Sequence, residues 1–270
     1  MVIFIVLYFQ PCFPIFFRIA RFELLKTVFN IMISPFGRVG FKDFFLADVI
    51  TSMGQPLVDI GLIWAILKKD QDIKSTGYNV FFVFMGFLPY WWRFWQCIHK
   101  WYKQGIKLQL VNACKYFSKF LPLIAVLGGS SKKVGGPLGW YVVFQLITTF
   151  FCLYWDFYWD WGLFRGTEED NEMLRDEIKY SVKFYKSAMI ANTFLRFWWV
   201  INLFHIKFAG PVAFLEGIQL MTFLSMMMEA IRRTVWSLIR VENELINNFE
   251  KYRTFIAIPP MKDENDLIEK

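Results

Sequence analysis

The chain alternates long apolar stretches with short polar ones. A bilayer core about 30 Å thick needs about 20 mostly apolar residues as helix. Six stretches meet that length: 44–67, 78–98, 108–127, 137–161, 186–204 and 210–238. Residues 1–17 form a seventh apolar stretch, interrupted by Pro11 and Pro14, which reads equally as a partial span, a re-entrant piece or an interfacial segment. The predicted fold is therefore all-α: a polytopic transmembrane helical bundle of about six spans plus a candidate N-terminal partial span.

The polar segments divide the chain further. Residues 68–77 and 128–136 have turn-like composition. Residues 162–185 are charged and predict a helix, with Thr167 and Asp170 forming a loose capping box. Three regions result: an apolar segment and cytoplasmic linker at 1–43, the bundle at 44–245, and a cytoplasmic tail at 246–270 that carries Pro259 and Pro260. Lys and Arg set the orientation. Segments 18–43, 99–107 and 162–185 hold twelve of them, against six in the segments on the other side. The first set is expected to face the cytoplasm.

Composition agrees with a membrane bundle. The 270 residues are 56% hydrophobic and 20% aromatic, with 32 Phe and 12 Trp, and mean hydropathy is +0.35. That excludes a disordered chain, a collagen-like chain and a disulfide-rich module. The residues Cys12, Cys97, Cys114 and Cys152 lie singly in apolar stretches, and His99 and His205 are far apart, so neither a metal site nor a disulfide framework is expected. No nucleotide, hydrolase or metalloprotease motif occurs, so no catalytic residue and no cofactor are assigned. The net charge of +7 is spread over loops and spans rather than one polar stripe, which argues against nucleic acid.

Charge changes the picture most where it falls inside the apolar stretches. An ionisable group at bilayer depth costs about 2.5–3.5 kcal/mol on insertion scales, so it faces a cavity or a partner. Asp48 and Asp59 lie in the first stretch, Arg93 in the second, Lys115 and Lys119 in the third. Asp156 and Asp160 end the fourth, Arg196 lies in the fifth, and Glu229, Arg232, Arg233, Arg240 and Glu242 close the sixth. Spacing of four puts Asp156 and Asp160 on one helix face, and Glu229, Arg232 and Arg233 share another. A polar seam with basic excess follows, suited to an anion because Arg matches phosphate or carboxylate oxygens with a planar fork. The other reading is structural ion pairs with snorkelling side chains, which suits Arg93, Lys119, Arg240 and Glu242 near the span ends. The Trp and Tyr clusters at 90–92, 155–161 and 198–199 read as interfacial belts, or, for Trp199 three residues past Arg196, as a gate.

Several segments together resemble one family. SPFGRVGFKDFFLADVITS (34–52), RFWQCIHKW (93–101), LVNACKYFSKF (110–120), WDFYWDWGLFR (155–165), LRDEIKY (174–180), FLRFWW (194–199) and RRTVWSLIRVENELINNFEKYR (232–253) look like the EXS domain of eukaryotic SPX–EXS phosphate exporters. The resemblance implies a helical membrane domain that passes inorganic phosphate. By motif, its substrate-binding candidates here are Asp48, Lys115, Asp156, Asp160, Arg196, Glu229, Arg232 and Arg233, with Trp199 as gate. It implies inorganic phosphate and membrane lipids as partners, and a homo-oligomer or larger membrane complex. With no SPX-like region in the sequence, the expectation is a short member of the Golgi or another internal membrane, either an exporter or channel or an accessory subunit that keeps the fold without transport.

Overall fold

The computed structural model describes residues 17–34, 36–37, 39–67, 76–122, 125, 136–165, 174–175, 177–208 and 211–247. Among them every regular element is helical. In chain order these are α1 (Arg18–Met32), α2 (Phe41–Ile50), a 3-10 turn at Thr51–Met53, and α3 (Gly54–Leu67). There follow α4 (Thr76–Gln104), α5 (Leu108–Ser118), α6 (Gly136–Tyr154) and a π-helical stretch at Trp155–Asp160. The last three are α7 (Val182–Arg196), α8 (Trp198–Phe208) and α9 (Pro211–Asn247). The expected all-α class holds. Residues 1–16 and 248–270, the linkers at 68–75 and 126–135, and the Thr167–Asp170 capping box lie outside the described residues.

Among the described residues, no helix is long and apolar enough to cross a membrane. Two of the expected spans are broken. The stretch at 44–67 is divided by the 3-10 turn, where Thr51 Oγ1 donates back to the Asp48 carbonyl at 2.6 Å. Such back-bonding competes with the helix ladder, and Pro56, two residues into α3, has no N–H to continue it. The stretch at 186–204 breaks at Phe197, whose φ and ψ of −92° and 5° leave the helical region.

Two clusters of buried apolar side chains hold the bundle. One joins Trp161, Leu163, Leu174, Tyr185, Ala188, Trp236 and Ile239. The other joins Phe44, Cys97, Ala113 and Tyr116. The Trp155–Trp161 group was expected at an interface. Instead Trp155 and Trp161 are fully buried. The belt reading fails there because the fold turns both rings inward: Trp161 packs with Trp236 and Ile239 of α9, and Trp155 lies against the Lys115 ammonium.

The expected helix over 162–185 is also corrected. Its described part is irregular up to Ser181, which caps α7 by accepting from Phe184 N at 3.3 Å. The segment is pinned by side chains instead. The buried Arg175 donates to the Trp161 carbonyl at 2.8 Å and pairs with Glu242 at 2.7 Å. Lys179 N donates to the same carboxylate at 2.7 Å, as does the Tyr185 hydroxyl. A carboxylate from α9 thus does what helical hydrogen bonds were expected to do.

Candidate functional site

Asp48 lies just before the 3-10 turn, Asp156 and Asp160 lie on the π-helical stretch and Arg196 ends α7, while Lys115 lies within α5 and Glu229, Arg232 and Arg233 within α9. They enclose a cavity of about 310 Å³. All nine residues singled out from the sequence line it: Asp48, Lys115, Asp156, Asp160, Arg196, Trp199, Glu229, Arg232 and Arg233. Lys119, Thr51, Ser52, Tyr90, Tyr116 and Trp236 complete much of the wall.

Each arginine of the wall is held from behind. Arg196, the last residue of α7, reaches one oxygen of Asp156 with Nε at 2.9 Å and Nη2 at 2.6 Å. Asn192, one turn earlier, donates to the same oxygen at 3.0 Å. Arg232 pairs with Glu229 one turn back on α9, with Nε at 2.7 Å, and its Nη1 lies 3.9 Å from Asp156. Arg233 donates to Ser52 Oγ at 2.8 Å and Thr51 Oγ1 at 3.0 Å, the two hydroxyls that the 3-10 turn exposes. Ser52 in turn donates to Glu229 at 2.6 Å. Asp156 and Asp160 face the same cavity, as their spacing predicted, but they do not share partners. Asp160 accepts from the indoles of Trp155 and Trp236 at 3.1 and 3.2 Å and lies 3.8 Å from Arg240.

The two lysines of α5 differ. Lys115 and Lys119 form no ion pair and no side-chain hydrogen bond among the described residues. Lys115 is buried, its ammonium lying 4.4 and 4.8 Å from the ring centroids of Tyr116 and Trp155. Lys119 stands one turn further on, at the C-terminal end of the helix, on the same wall.

Behind the wall lies a correction. Arg93, Arg240 and Glu242 were expected as structural ion pairs with side chains snorkelling at span ends; the ion pairs form, and the snorkelling does not occur. All three are buried. Arg93 binds Asp48 through two parallel bonds at 2.8 and 3.0 Å, donates to Gln96 at 2.8 Å and Tyr116 at 3.0 Å, and lies 3.5 Å over the Phe44 ring. Burial of a guanidinium is tolerable when every N–H finds an acceptor, and here the partner lies 45 residues away in sequence. Snorkelling is therefore not needed. Glu242 is held by Arg175, and Arg240 by Asp160 and Glu244.

Sequence reasoning placed Lys119 at a span end, read Tyr90 as part of an interfacial belt, and passed over Thr51, Ser52, Tyr116 and Trp236. The i, i+4 spacing of Lys115 and Lys119 was a usable signal. The hydroxyl pair just before Gly54 and Pro56 was another, since Ser and Thr beside a helix breaker expose their hydroxyls.

Trp199 lies beside Arg196 and donates its indole N–H to Thr149 at 3.2 Å. Its ring meets Tyr141 edge-on at 6.5 Å.

Charge sets what the cavity can hold. Among the described residues, five cations line it against four carboxylates. Behind the wall, Arg93 neutralises Asp48, and Arg240 is balanced by Glu244. Two positive charges remain in excess, one for each unpaired lysine.

Comparison with known proteins gives a consistent set of relatives. The EXS family model matches residues 1–246. A protein named phosphate transporter PHO1 homolog 8, of Arabidopsis thaliana, is 32% identical over 258 residues, which is 92% of this chain and 33% of that protein. The Danio rerio xenotropic and polytropic retrovirus receptor 1 homolog is 31% identical over 93% of this chain and 39% of its own length. Human solute carrier family 53 member 1 is 31% identical over 94% and 40%. The chain thus spans between a third and two fifths of the length of these relatives.

Proposed function

This chain belongs to the EXS family, a family of transporters and not of enzymes, and from that premise we propose that it is a membrane-embedded bundle that conducts inorganic phosphate through the cavity described above. The observation that carries the proposal is the pair Lys115 and Lys119. Buried or half-buried ammonium groups without an ion pair are costly, and an anion between them and the arginines removes that cost. Divalent phosphate matches the two excess charges. The carboxylates behind Arg196 and Arg232 keep those cations in place when the cavity is empty. They also weaken the hold on the anion, which a conduction site needs in order to release it.

Membrane embedding is supported by an inside-out surface. Large apolar side chains point outward on α6, α7, α8 and α9: Phe150, Ile190, Phe194, Phe204 and Phe223 are all more than half exposed. Asp48, Arg93, Lys115, Asp156, Arg232 and Arg240 are buried instead. A water-soluble domain does not expose so many large apolar groups in one chain. Phosphate is proposed to enter past Arg232 and Arg233, to rest between Arg196 and Lys115, and to leave when Trp199 swings aside.

One observation favours the other reading, a structural or accessory subunit. All three cavity arginines already have protein partners, as ion pairs kept only for packing would. Binding separates the two. Radiolabelled phosphate should bind the purified protein, and Lys119→Gln should weaken it about tenfold, the value of a charge-assisted hydrogen bond, with no fall in thermal stability. Equal affinity in wild type and Lys119→Gln would remove the cavity from the path. No binding in either would leave the accessory role.

A further inference from the structure

A second cavity, of about 490 Å³, lies where the last turn of α4 meets the connection between α1 and α2. Its wall includes Phe36, Val39, His99, Lys100, Lys103 and Gln104. Among the described residues it shares none with the first cavity. Among the described residues, no carboxylate lines it. Lys100 is buried, its ammonium 5.1 Å from the Phe44 ring centroid, while Lys103 is exposed at the mouth.

The helix beside this cavity is inverted. On α1 the buried residues are Arg21, Thr27 and Ile31, whereas Phe22, Phe29 and Met32 are more than half exposed, and Phe36 beyond it is 89% exposed. Exposed apolar side chains therefore run from the cavity mouth along the outside of α1, interrupted by the exposed Lys26–Glu23 pair. Basic floor and apolar rim are the two halves of one amphiphile's complement. The segments 18–43 and 99–107 also belong to the same basic set in the loop-charge count, the side where anionic lipids concentrate.

We propose that this cavity binds the headgroup of an anionic phospholipid, with the acyl chains lying along the exposed face of α1. Its size falls in the range of about 300–1,000 Å³ typical of small-ligand sites, and basic cavities on this side of helical bundles suit lipid headgroups. The proposal rests on the membrane part of the functional reading and not on phosphate passage. Bound lipid would tie α1 to the end of α4 and so bear on the packing of α2 and Asp48.

Native mass spectrometry of the purified full chain in neutral detergent tests it, with phosphatidylserine, phosphatidic acid or phosphatidylcholine added. The two anionic lipids should be retained at least about tenfold over phosphatidylcholine, and Lys103→Glu, at an exposed position that leaves the fold intact, should lower their affinity roughly thirtyfold, two charges at about 1 kcal/mol each. A large excess of inorganic phosphate should not displace them. Equal retention of all three lipids, or no effect of Lys103→Glu, would overturn the site. Displacement by inorganic phosphate would overturn the lipid in favour of a soluble anion. Phosphate binding at the first cavity should be unchanged in Lys103→Glu, so failure here and failure of the phosphate reading give different results.

Discussion

Arg93 and Lys119 are both cations inside apolar stretches, and the structure gives them opposite fates. Arg93 is enclosed by a carboxylate, a carboxamide and a phenol. Lys119 has no ion pair among the described residues and faces the cavity. Stability should follow the first and affinity the second. Arg93→Ala strands Asp48 in the bundle, so it should cost about 3–5 kcal/mol, the penalty for breaking a buried pair from one side. Replacing both partners by apolar residues, Asp48→Leu with Arg93→Met, should recover most of that loss. Thermal unfolding in detergent reads both. The charged positions were legible in the sequence because a charge in an apolar run is costly and cannot be incidental. Their partners were not, since Asp48 and Arg93 lie on different helices and no local spacing links them.

At the scale of the element, the helix ends do the positioning. The π-helical stretch closes with Trp161 N donating to the Asp156 carbonyl at 2.8 Å and Leu163 N to the Phe157 carbonyl at 2.9 Å. The chain then reverses through Gly162 at a φ of 64°. Asn243 from α9 donates to the open carbonyls of Trp159 and Asp160 at 3.2 and 2.9 Å. A side chain at 162 would meet Asn243 Oδ1 at 2.6 Å. Gly162→Ala should therefore cost more than the ~1–2 kcal/mol of a left-handed residue alone. It should also weaken phosphate binding, since Asp156 and Asp160 sit on the stretch that this turn anchors. Gly139→Ala, where a Cβ meets nothing within 4 Å in the middle of a turn of α6, is the control and should leave both unchanged or slightly raise stability. Helices within the apolar stretches were readable from the length of those stretches, whereas α1, in the expected linker, was not. The breaks at 51–53 and 197 and the irregular path to Ser181 were not, because they depend on hydroxyl back-bonding and on Glu242, 63 residues from Lys179.

For the whole molecule, the conflict between 56% hydrophobic and 20% charged residues resolves by direction. Phe150, Phe194, Phe204 and Phe223 face outward, while Asp48, Arg93, Asp156, Arg232 and Arg240 are buried. That inversion makes one cavity with two unmatched positive charges, and it makes a bilayer the medium in which the fold is consistent. Sequence reasoning reached the cavity's main residues because each was costly where it stood, and missed the second, basic cavity because its lysines sit in a loop-like segment where charge is ordinary. The most direct test of the central claim is phosphate efflux from proteoliposomes loaded with radiolabelled phosphate. Wild-type protein should release phosphate faster than protein-free vesicles, and Arg196→Ala and Arg233→Ala should each lower the rate at least about tenfold, the order of one lost charge-assisted contact. Efflux from the two variants equal to wild type would contradict the account.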